Sequence, residues 1–386
     1  MLGQMAQCVA PKAYSNTPAR GVTSGYMPRV EWPRTSEFRL RLAPLSAILG
    51  RNHNKHPEGK PMIKKYTLLL ATLALAGCIV QSQARAAAAG TCDRDCLKAM
   101  ANSYIAALVA HDPGKVPLAS NVRMVENAKR IHPGEGLWKT ATGGPSAFKI
   151  IVPDSYSQEV GGMVMMQSDG KPAQVGFRLK LVNGKIVEAE QMIDVPRGAS
   201  LANLQKPRAA ILMDVPYEYR DSRGRLIHIA KSYYDALDNN NGSLAPFAPD
   251  CERHENGMRT APSGGAAGRP QVPGAPPRPA SLVGMQTCES QIDSGTFQYI
   301  TVIGDRRVEV ADEQTGLAIG FSHFHHAFTQ HEFKIYNDPS RDMVKMDYKP
   351  FDLPAMHIFK IWGGQIHEIE AMGFTAPYNS PTGWEE

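Results

Sequence analysis

Apolar and polar positions follow two rhythms along this chain, and the same succession of rhythms occurs twice. Residues 99–127, "AMANSYIAALVAHDPGKVPLASNVRMVEN", open with apolar residues at helical intervals and break at "HDPG". They leave through an extended stretch that closes on Glu-Asn. Residues 228–256, "HIAKSYYDALDNNNGSLAPFAPDCERHEN", do the same. Each segment predicts an amphipathic helix, a turn, a short helix begun by proline, and an extended exit. Strand-like runs follow: "AFKIIVP" and "EVGGMVMMQ" after the first segment, "GTFQYITVIG", "RRVEVAD" and "GLAIGFSHF" after the second. Each series ends in a predicted hairpin. "GFRLKLVNGKIVEAEQM" (176–192) turns at Asn-Gly, and "MHIFKIWGGQIHEIEAM" (356–372) turns at Gly-Gly.

Laid over each other without a gap, the two opening segments agree at nine of 29 positions. These include Tyr104/Tyr233, Glu126/Glu255 and Asn127/Asn256. The hairpins agree at six, among them Lys180/Lys360, Glu188/Glu368 and Glu190/Glu370. The offset is 129 at the opening segments and 180 at the hairpins, so the second copy holds 51 additional residues. Helices followed by a bent sheet, written twice, predict an α+β fold. The expected architecture is two tandem cone-like domains, each with helices packed on a strongly curved antiparallel sheet. The boundaries read as 90–205 and 226–386, with a linker at 206–225 and insertions near 258–285 and 327–355. The two copies are expected to form an internal pseudo-dimer.

Ahead of the repeats, "MIKKYTLLLATLALAGC" from Met62 joins a lysine pair to a short apolar run. That is the build of a secretory signal, too short for a membrane span of about 20 residues. The signal is expected to occupy 62–86, behind a disordered leader or mis-assigned start at 1–61. "LAGC" at 75–78 would place a lipid on Cys78, whereas "ARA" at 84–86 would release a soluble chain. Either outcome puts the protein in the periplasm or outside the cell, with or without a membrane anchor. Without residues 1–86 the chain has 30 basic and 34 acidic residues, so the basic balance of the whole sequence belongs to the leader. Nucleic acid is therefore not an expected partner. Cys92, Cys96, Cys251 and Cys288 remain, an even number in an exported chain, which suggests disulfides. Three pairings are open. Cys92–Cys96 with Cys251–Cys288 is favoured, because the second bond would close a Pro/Gly-rich loop.

Helix, short helix and a curved sheet ending in a long hairpin resemble the nuclear-transport-factor-two-like (SnoaL-like, ketosteroid-isomerase-like) superfamily. "GLW" (136–138), "RRVEVADEQTGLAIGF" and the closing "PYNSPTGW" look like a secreted group of its fungal and bacterial members. The resemblance covers about residues 92–386. It implies a cone-shaped cavity between sheet and helices, used by members for isomerase, dehydratase, epoxide-hydrolase or lyase chemistry, usually without a cofactor. Other members only bind ligands or partners. The superfamily's usual Asp/His or Asp/Tyr catalytic set does not map onto this sequence by motif.

The densest chemistry lies in "SHFHHAFTQH". On a strand His323 and His325 share one face and His326 takes the other. Imidazole suits acid/base work near neutral pH. Members of the superfamily often carry an acidic residue and then His at the end of this strand. His326 is thus the first catalytic candidate, and the His at 325 departs from that pattern. His323, His325 and Glu255 are further candidates. Two histidines on one face, with His331 or His357, could also hold a metal, but no metal or other cofactor is expected. Glu126, Asn127 and Asn256 are candidate substrate contacts with Glu255 beside them; the same Glu-Asn pairs could instead cap a chain reversal. Tyr104, Tyr233 and Trp138 are candidate cavity wall. Glu188, Glu190, Glu368 and Glu370 alternate along the closing strands, either lining a cone or salt-bridged on a face. No G-x-S-x-G, P-loop, Rossmann glycine pattern or H-E-x-x-H occurs, which argues against a serine hydrolase, an NTPase, a dinucleotide enzyme or a zincin. The expected function is cofactor-independent lyase, isomerase or dehydratase chemistry on a small apolar or aromatic compound. The alternative is a non-catalytic ligand-binding or envelope protein.

Overall fold

Helix α1 (Arg94–Val109) begins where the Asp93 side chain accepts the Cys96 backbone N–H at 2.9 Å. It buries Leu97, Ala101, Tyr104, Ile105 and Leu108 on one stripe. The computed structural model describes residues 90–262, 286–338 and 342–385. The leader, the export signal with Cys78, and residues 263–285 of the first insertion lie outside the described residues.

After α1 come β1 (Leu118–Glu126), β2 (Lys129–Ile131), α2 (Leu137–Thr140), β3 (Ala141–Gly143), β4 (Lys149–Asp154), β5 (Glu159–Ser168), β6 (Lys171–Val182) and β7 (Lys185–Asp194). Two short helices follow, α3 (Ser200–Asn203) and α4 (Ala209–Leu212). The second half has α5 (Arg223–Asp238), β8 (Phe247–Glu255), β9 (Met258–Ala261), α6 (Cys288–Asp293), β10 (Val302–Asp312) and β11 (Leu317–His326). It closes with β12 (Glu332–Lys334), β13 (Met343–Lys345), β14 (Phe351–Trp362), β15 (Gln365–Gly373) and β16 (Ala376–Pro377). The first sheet runs β2-β1-β7-β6-β5-β3 with β4 on β5; the second runs β10-β11-β14-β15-β8-β9 with β16 on β14. The fold is α+β, with two sheet-rich halves that each carry their long helix on one side. α5 and β8 start 129 positions after α1 and β1, and β14 starts 180 after β6, so the duplication holds at the level of element boundaries.

Four local expectations are corrected. The expected proline-started short helix is a single 3₁₀ turn in each half, Pro113–Lys115 and Gly242–Leu244, only the first of which begins with proline, and a nine-residue strand starts after two intervening residues. The sheets are not wholly antiparallel: β1 pairs parallel with β7, and β8 with β15. These strands are joined through most of a half rather than by a tight turn, so nothing forces them to run oppositely. In "GTFQYITVIG" the strand starts only at Val302, because Gly295 takes φ +72° and residues 295–300 turn. The 327–355 insertion contains the small β12–β13 hairpin and the first residues of β14.

Both disulfides form in the favoured pairing, Cys92–Cys96 and Cys251–Cys288. The second ties β8 to α6. No helix among the described residues is long and apolar enough to cross a membrane.

Each sheet has two buried faces. One faces its helix: Leu97, Tyr104, Trp138, Val175 and Phe177 form the first such core, and Leu226, Tyr233, Tyr234, Phe324 and Phe359 belong to the second. The opposite faces meet each other. Fifteen buried residues, including Ile150, Met163, Met165, Met192, Ile319, Phe321, Met356 and Met372, make this seam. A fully buried side chain of this size contributes roughly 1.5–3 kcal/mol, so the seam is mainly hydrophobic in origin. Gly176 lies where a Cβ would stand 2.8 Å from Met372 Sδ. Two of the charged contacts across the seam are reciprocal. Arg94, first in α1, pairs with Asp312 at the end of β10 (2.7 Å), and Arg223, first in α5, pairs with Asp154 at the end of β4 (2.8 Å). Such exchange of equivalent residues is the signature of a two-fold interface.

Candidate functional site

The Glu-Asn pairs are hairpin turns. Asn127-Ala128 and Asn256-Gly257 all have positive φ, as a two-residue turn between twisted strands requires. Each asparagine also docks on the closing strand. Asn127 Oδ1 accepts from Ile193 N (2.8 Å) and its Nδ2 donates to Ile193 O (3.1 Å); Asn256 does the same with Gly373 at 2.8 and 2.9 Å. Replacing Asn127 by Ala should cost about 2–3 kcal/mol, from two lost hydrogen bonds and a left-handed alanine. Asn127→Gly should recover about 1 kcal/mol of that. Urea denaturation measures both, and a loss below about 0.5 kcal/mol for the alanine variant would rule out this clamp.

Glu126 precedes the first turn and points to the cone side of β1. Its carboxylate accepts the Leu137 N–H at 2.8 Å, at the start of α2. Gly136, with φ +59°, leaves the room: a Cβ there would run into that carboxylate. Burial raises the Glu126 pKa, against the opposing Leu137 N–H. Above it on α1, Tyr104 meets Trp138 edge-on at 5.5 Å. Burial, then the Glu126 charge, push the Tyr104 hydroxyl up. Gln191 is the partner of Glu126 in the β1–β7 register and of Phe177 in the β6–β7 register, so it faces the same cone. Both amide atoms of Gln191 are buried without a hydrogen-bond partner, and Tyr104 Oη and Trp138 Nε1 are buried with at most a weak contact to each other, which opposes the rise of the Tyr104 hydroxyl. Buried polar atoms are rarely left so.

The second cone differs. Arg253, 1% exposed, stands on the strand position matching Met124. It donates to Tyr233 Oη (3.3 Å), Gln291 Oε1 (2.5 Å) and Thr260 Oγ1 (2.9 Å), and lies 3.3 Å from the half-exposed Glu255. Burial moves the Tyr233 hydroxyl up to about 12. His357 takes the place of Phe177, with Nδ1 3.2 Å from Tyr234 Oη. Burial, then Arg253, lower it to about 3. Arg253, Tyr233, Tyr234 and His357 of this cone are engaged with neighbouring side chains, while Ser322 Oγ and His326 Nδ1 on the same side of β11 make at most weak contacts.

The histidine strand presents both faces as its alternation predicts. His326 stacks on Phe351 at 4.2 Å and on Tyr299 at 5.6 Å, and burial lowers its pKa to about 4. It meets no carboxylate there. His323 and His325 face the seam. His325 Nδ1 lies 2.8 Å from Asp352 Oδ1 and His323 Nε2 3.4 Å from Asp352 Oδ2. A small, shallow pocket, partly open to solvent, is lined here by His323, Asp305, Arg307, Glu190, Phe321 and Thr382. The four alternating glutamates are salt-bridged on the seam side. Arg307 takes Glu190 through two bonds, Arg178 takes Glu188, and Arg208 takes Glu368 and Glu370. Arg123 and Arg130 engage Trp384 in the C-terminal tail, and His254 pairs with Glu252. Met163 and Met165 belong to the seam, Met166 to the first core.

The sequence model of the family described as Domain of unknown function (DUF8021) matches residues 91–193 and 219–373. The chain belongs to this family. The DUF8021 match takes in both helix-and-sheet halves and breaks over the segment that carries α3 and α4. No curated protein matches the chain. Two solved structures are similar to part of it. One, from Silicibacter sp. TM1040, bears a polyketide cyclase name; it is 11% identical, with a TM-score of 0.23, over 39% of this chain and 88% of that one. The other, from Jannaschia sp. CCS1, is named as a SnoaL-like polyketide cyclase; it is 14% identical, with a TM-score of 0.23, over 40% of this chain and 89% of that one. At these scores the likeness says nothing about chemistry.

Within this DUF8021 chain, sequence reasoning passed over Gln191, Asp305 and Asp352. Asp352 becomes visible only through the β11–β14 register, which sets it opposite His325. Asp305 had a signal: Gly-Asp interrupts "TVIGDRRVEV", and an isolated glycine in a strand pattern marks a bulge.

Proposed function

We propose that this DUF8021 protein is an exported, cofactor-independent enzyme of the lyase or isomerase type that works in its first cone. The substrate is a small apolar or aromatic molecule carrying a hydroxyl or carbonyl group. The single observation behind this is the buried Gln191 amide, both of whose polar atoms lack a partner, beside a Tyr104–Trp138 pair that is only weakly satisfied. Leaving such groups unpaired costs about 1–3 kcal/mol each, a cost that a hydrogen-bonding ligand removes. Val175, Phe177 and Leu179 supply the apolar remainder of the lining. Glu126, its pKa raised by burial beside Tyr104, is the acid/base group. The histidines first chosen for this role lie elsewhere, so the proposal moves the chemistry to Glu126. Because Arg253 and its partners Tyr233 and Gln291 occupy the second cone, it serves as a structural partner, and the two halves act as an internal pseudo-dimer.

A screen of small phenols and aromatic ketones by thermal shift, with turnover followed on each hit, tests this. Tyr104→Phe and Gln191→Leu should weaken binding about tenfold each, with little loss of stability, because they remove groups whose hydrogen bonding the protein leaves incomplete. Glu126→Gln should keep binding and lower turnover by about 10²–10⁴-fold. Undiminished binding in both Tyr104→Phe and Gln191→Leu would overturn the site. Binding with no turnover in the wild-type protein would leave the ligand-binding alternative.

A further inference from the structure

A second constellation sits on the seam face of β11, away from both cones. The β10–β11 register shifts between Gly304 and Arg307, and Asp305 within that bulge has φ +47°. A left-handed conformation costs a non-glycine residue roughly 1–2 kcal/mol, and bulges of this kind re-aim side chains. Asp305 Oδ2 comes to 3.9 Å from His323 Nδ1. His325 turns Nε2 toward the same bulge: a Cβ on Gly304 would stand 3.2 Å from it. One donor atom from each of Asp305, His323 and His325 lies within 4.8 Å of the others. The two imidazoles stack at 4.8 Å with 12° between their planes.

Behind them stands Asp352, fully buried. Its carboxylate faces the other nitrogen of each ring, His325 Nδ1 at 2.8 Å and His323 Nε2 at 3.4 Å, and is held in place by the Ser380 N–H at 2.9 Å.

We propose that Asp305, His323 and His325 bind one divalent first-row transition-metal ion of the zinc class, with Asp352 orienting both histidines. A carboxylate that accepts from one nitrogen fixes the tautomer and leaves the other lone pair free. His325 Nδ1 bonds Asp352, and His323 Nε2 faces Asp352 and Ser380 Oγ, each at 3.4 Å, so the lone pairs on the Asp305 side are those of His325 Nε2 and His323 Nδ1. Two imidazoles and a carboxylate suit zinc and its neighbours, whereas calcium and magnesium prefer all-oxygen sets. Ligand bonds near 2.0–2.2 Å bring donors to about 3.3 Å apart. The rings and the carboxylate reach that by rotation about their terminal torsions, which are soft. Asp305 is 56% exposed, so the remaining coordination position opens to solvent beside the pocket and Arg307. The site does not rest on the first-cone proposal, and it gives the strained Asp305 a purpose that seam packing does not.

The test uses the mature chain, stripped with a chelator, dialysed against Zn²⁺ and separately Co²⁺, and assayed for bound metal. The wild-type protein should hold about one equivalent. Asp305→Ala and His325→Ala should fall below about 0.2 equivalents, with Asp305→Ala staying folded and losing no more than the roughly 1–2 kcal/mol of a left-handed alanine, since its side chain is exposed. Asp352→Asn should weaken affinity by about 10–100-fold. His331→Ala, at an exposed histidine outside the set, should bind normally. Wild-type binding below about 0.2 equivalents, or a full equivalent on Asp305→Ala, overturns the proposal.

Discussion

Arg178→Met should lower stability by about 3–5 kcal/mol, the largest loss expected of any single surface-neutral replacement in the seam. The guanidinium is 3% exposed and donates to Glu159 (2.9 Å) and Glu188 (2.8 Å), with Glu190 at 3.5 Å. Glu159 and Glu190 are themselves 2% and 4% exposed. Replacing all of these groups by apolar ones would be nearly neutral; removing only the cation strands buried carboxylates. Glu190 keeps Arg307, whereas Glu159 keeps only the exposed Lys180 at 3.7 Å, so most of the loss falls on Glu159, whose pKa burial already raises. Adding Glu159→Gln to the arginine variant should therefore restore about 1–3 kcal/mol, a coupling that a double-mutant cycle reads directly. A loss under about 1 kcal/mol for Arg178→Met in urea denaturation would show that the cluster is solvated rather than buried.

The second large effect is on acid stability. Unfolded histidine takes up a proton near pH 6.5, but folded His357 does so only near 3. Between those values the unfolded chain holds one more proton, so stability is lost as pH falls from about 6.5 toward 3. A gap of 3.5 units corresponds to on the order of 4–5 kcal/mol. His357→Phe copies the first half, where Phe177 fills the matching position and is fully buried. It orphans Tyr234 Oη and should cost about 1–2 kcal/mol at pH 8. At pH 4 the order should reverse, with the variant more stable. His326, lowered to about 4, keeps part of the acid sensitivity in both proteins. Parallel stability–pH curves for the two proteins would refute the assignment.

Much of the architecture was legible because a duplication supplies its own check. Offsets of 129 and 180 read from side chains reappear as element boundaries, and the Asn-Gly and Gly-Gly turns are tight hairpins with positive φ. The parity of His323, His325 and His326 also followed from strand geometry. The seam had a signal whose meaning needed the structure: "EVGGMVMMQ" and "GLAIGFSHF" are apolar on both faces, as befits strands covered twice. Other features had no local signal. Asp352 meets His325 across 27 residues, and Gln191 faces the cone only because β7 pairs with β1 in parallel. The Glu-Asn pairs were visible as repeats, yet the same two letters serve as turn, strand clamp and helix-start acceptor, and only the backbone conformation tells these apart.

Joining two like halves in one chain has a consequence of its own. In a dimer of identical subunits every substitution appears on both sides of the axis, so a change that suits one pocket is imposed on the other. Here Gln191 is answered by Ala371, Phe177 by His357 and Met124 by Arg253, while the Arg94–Asp312 and Arg223–Asp154 exchange stays reciprocal. Covalent linkage lets the contact surface keep its symmetry while the interiors specialise. The two interiors can then diverge position by position behind one shared contact surface.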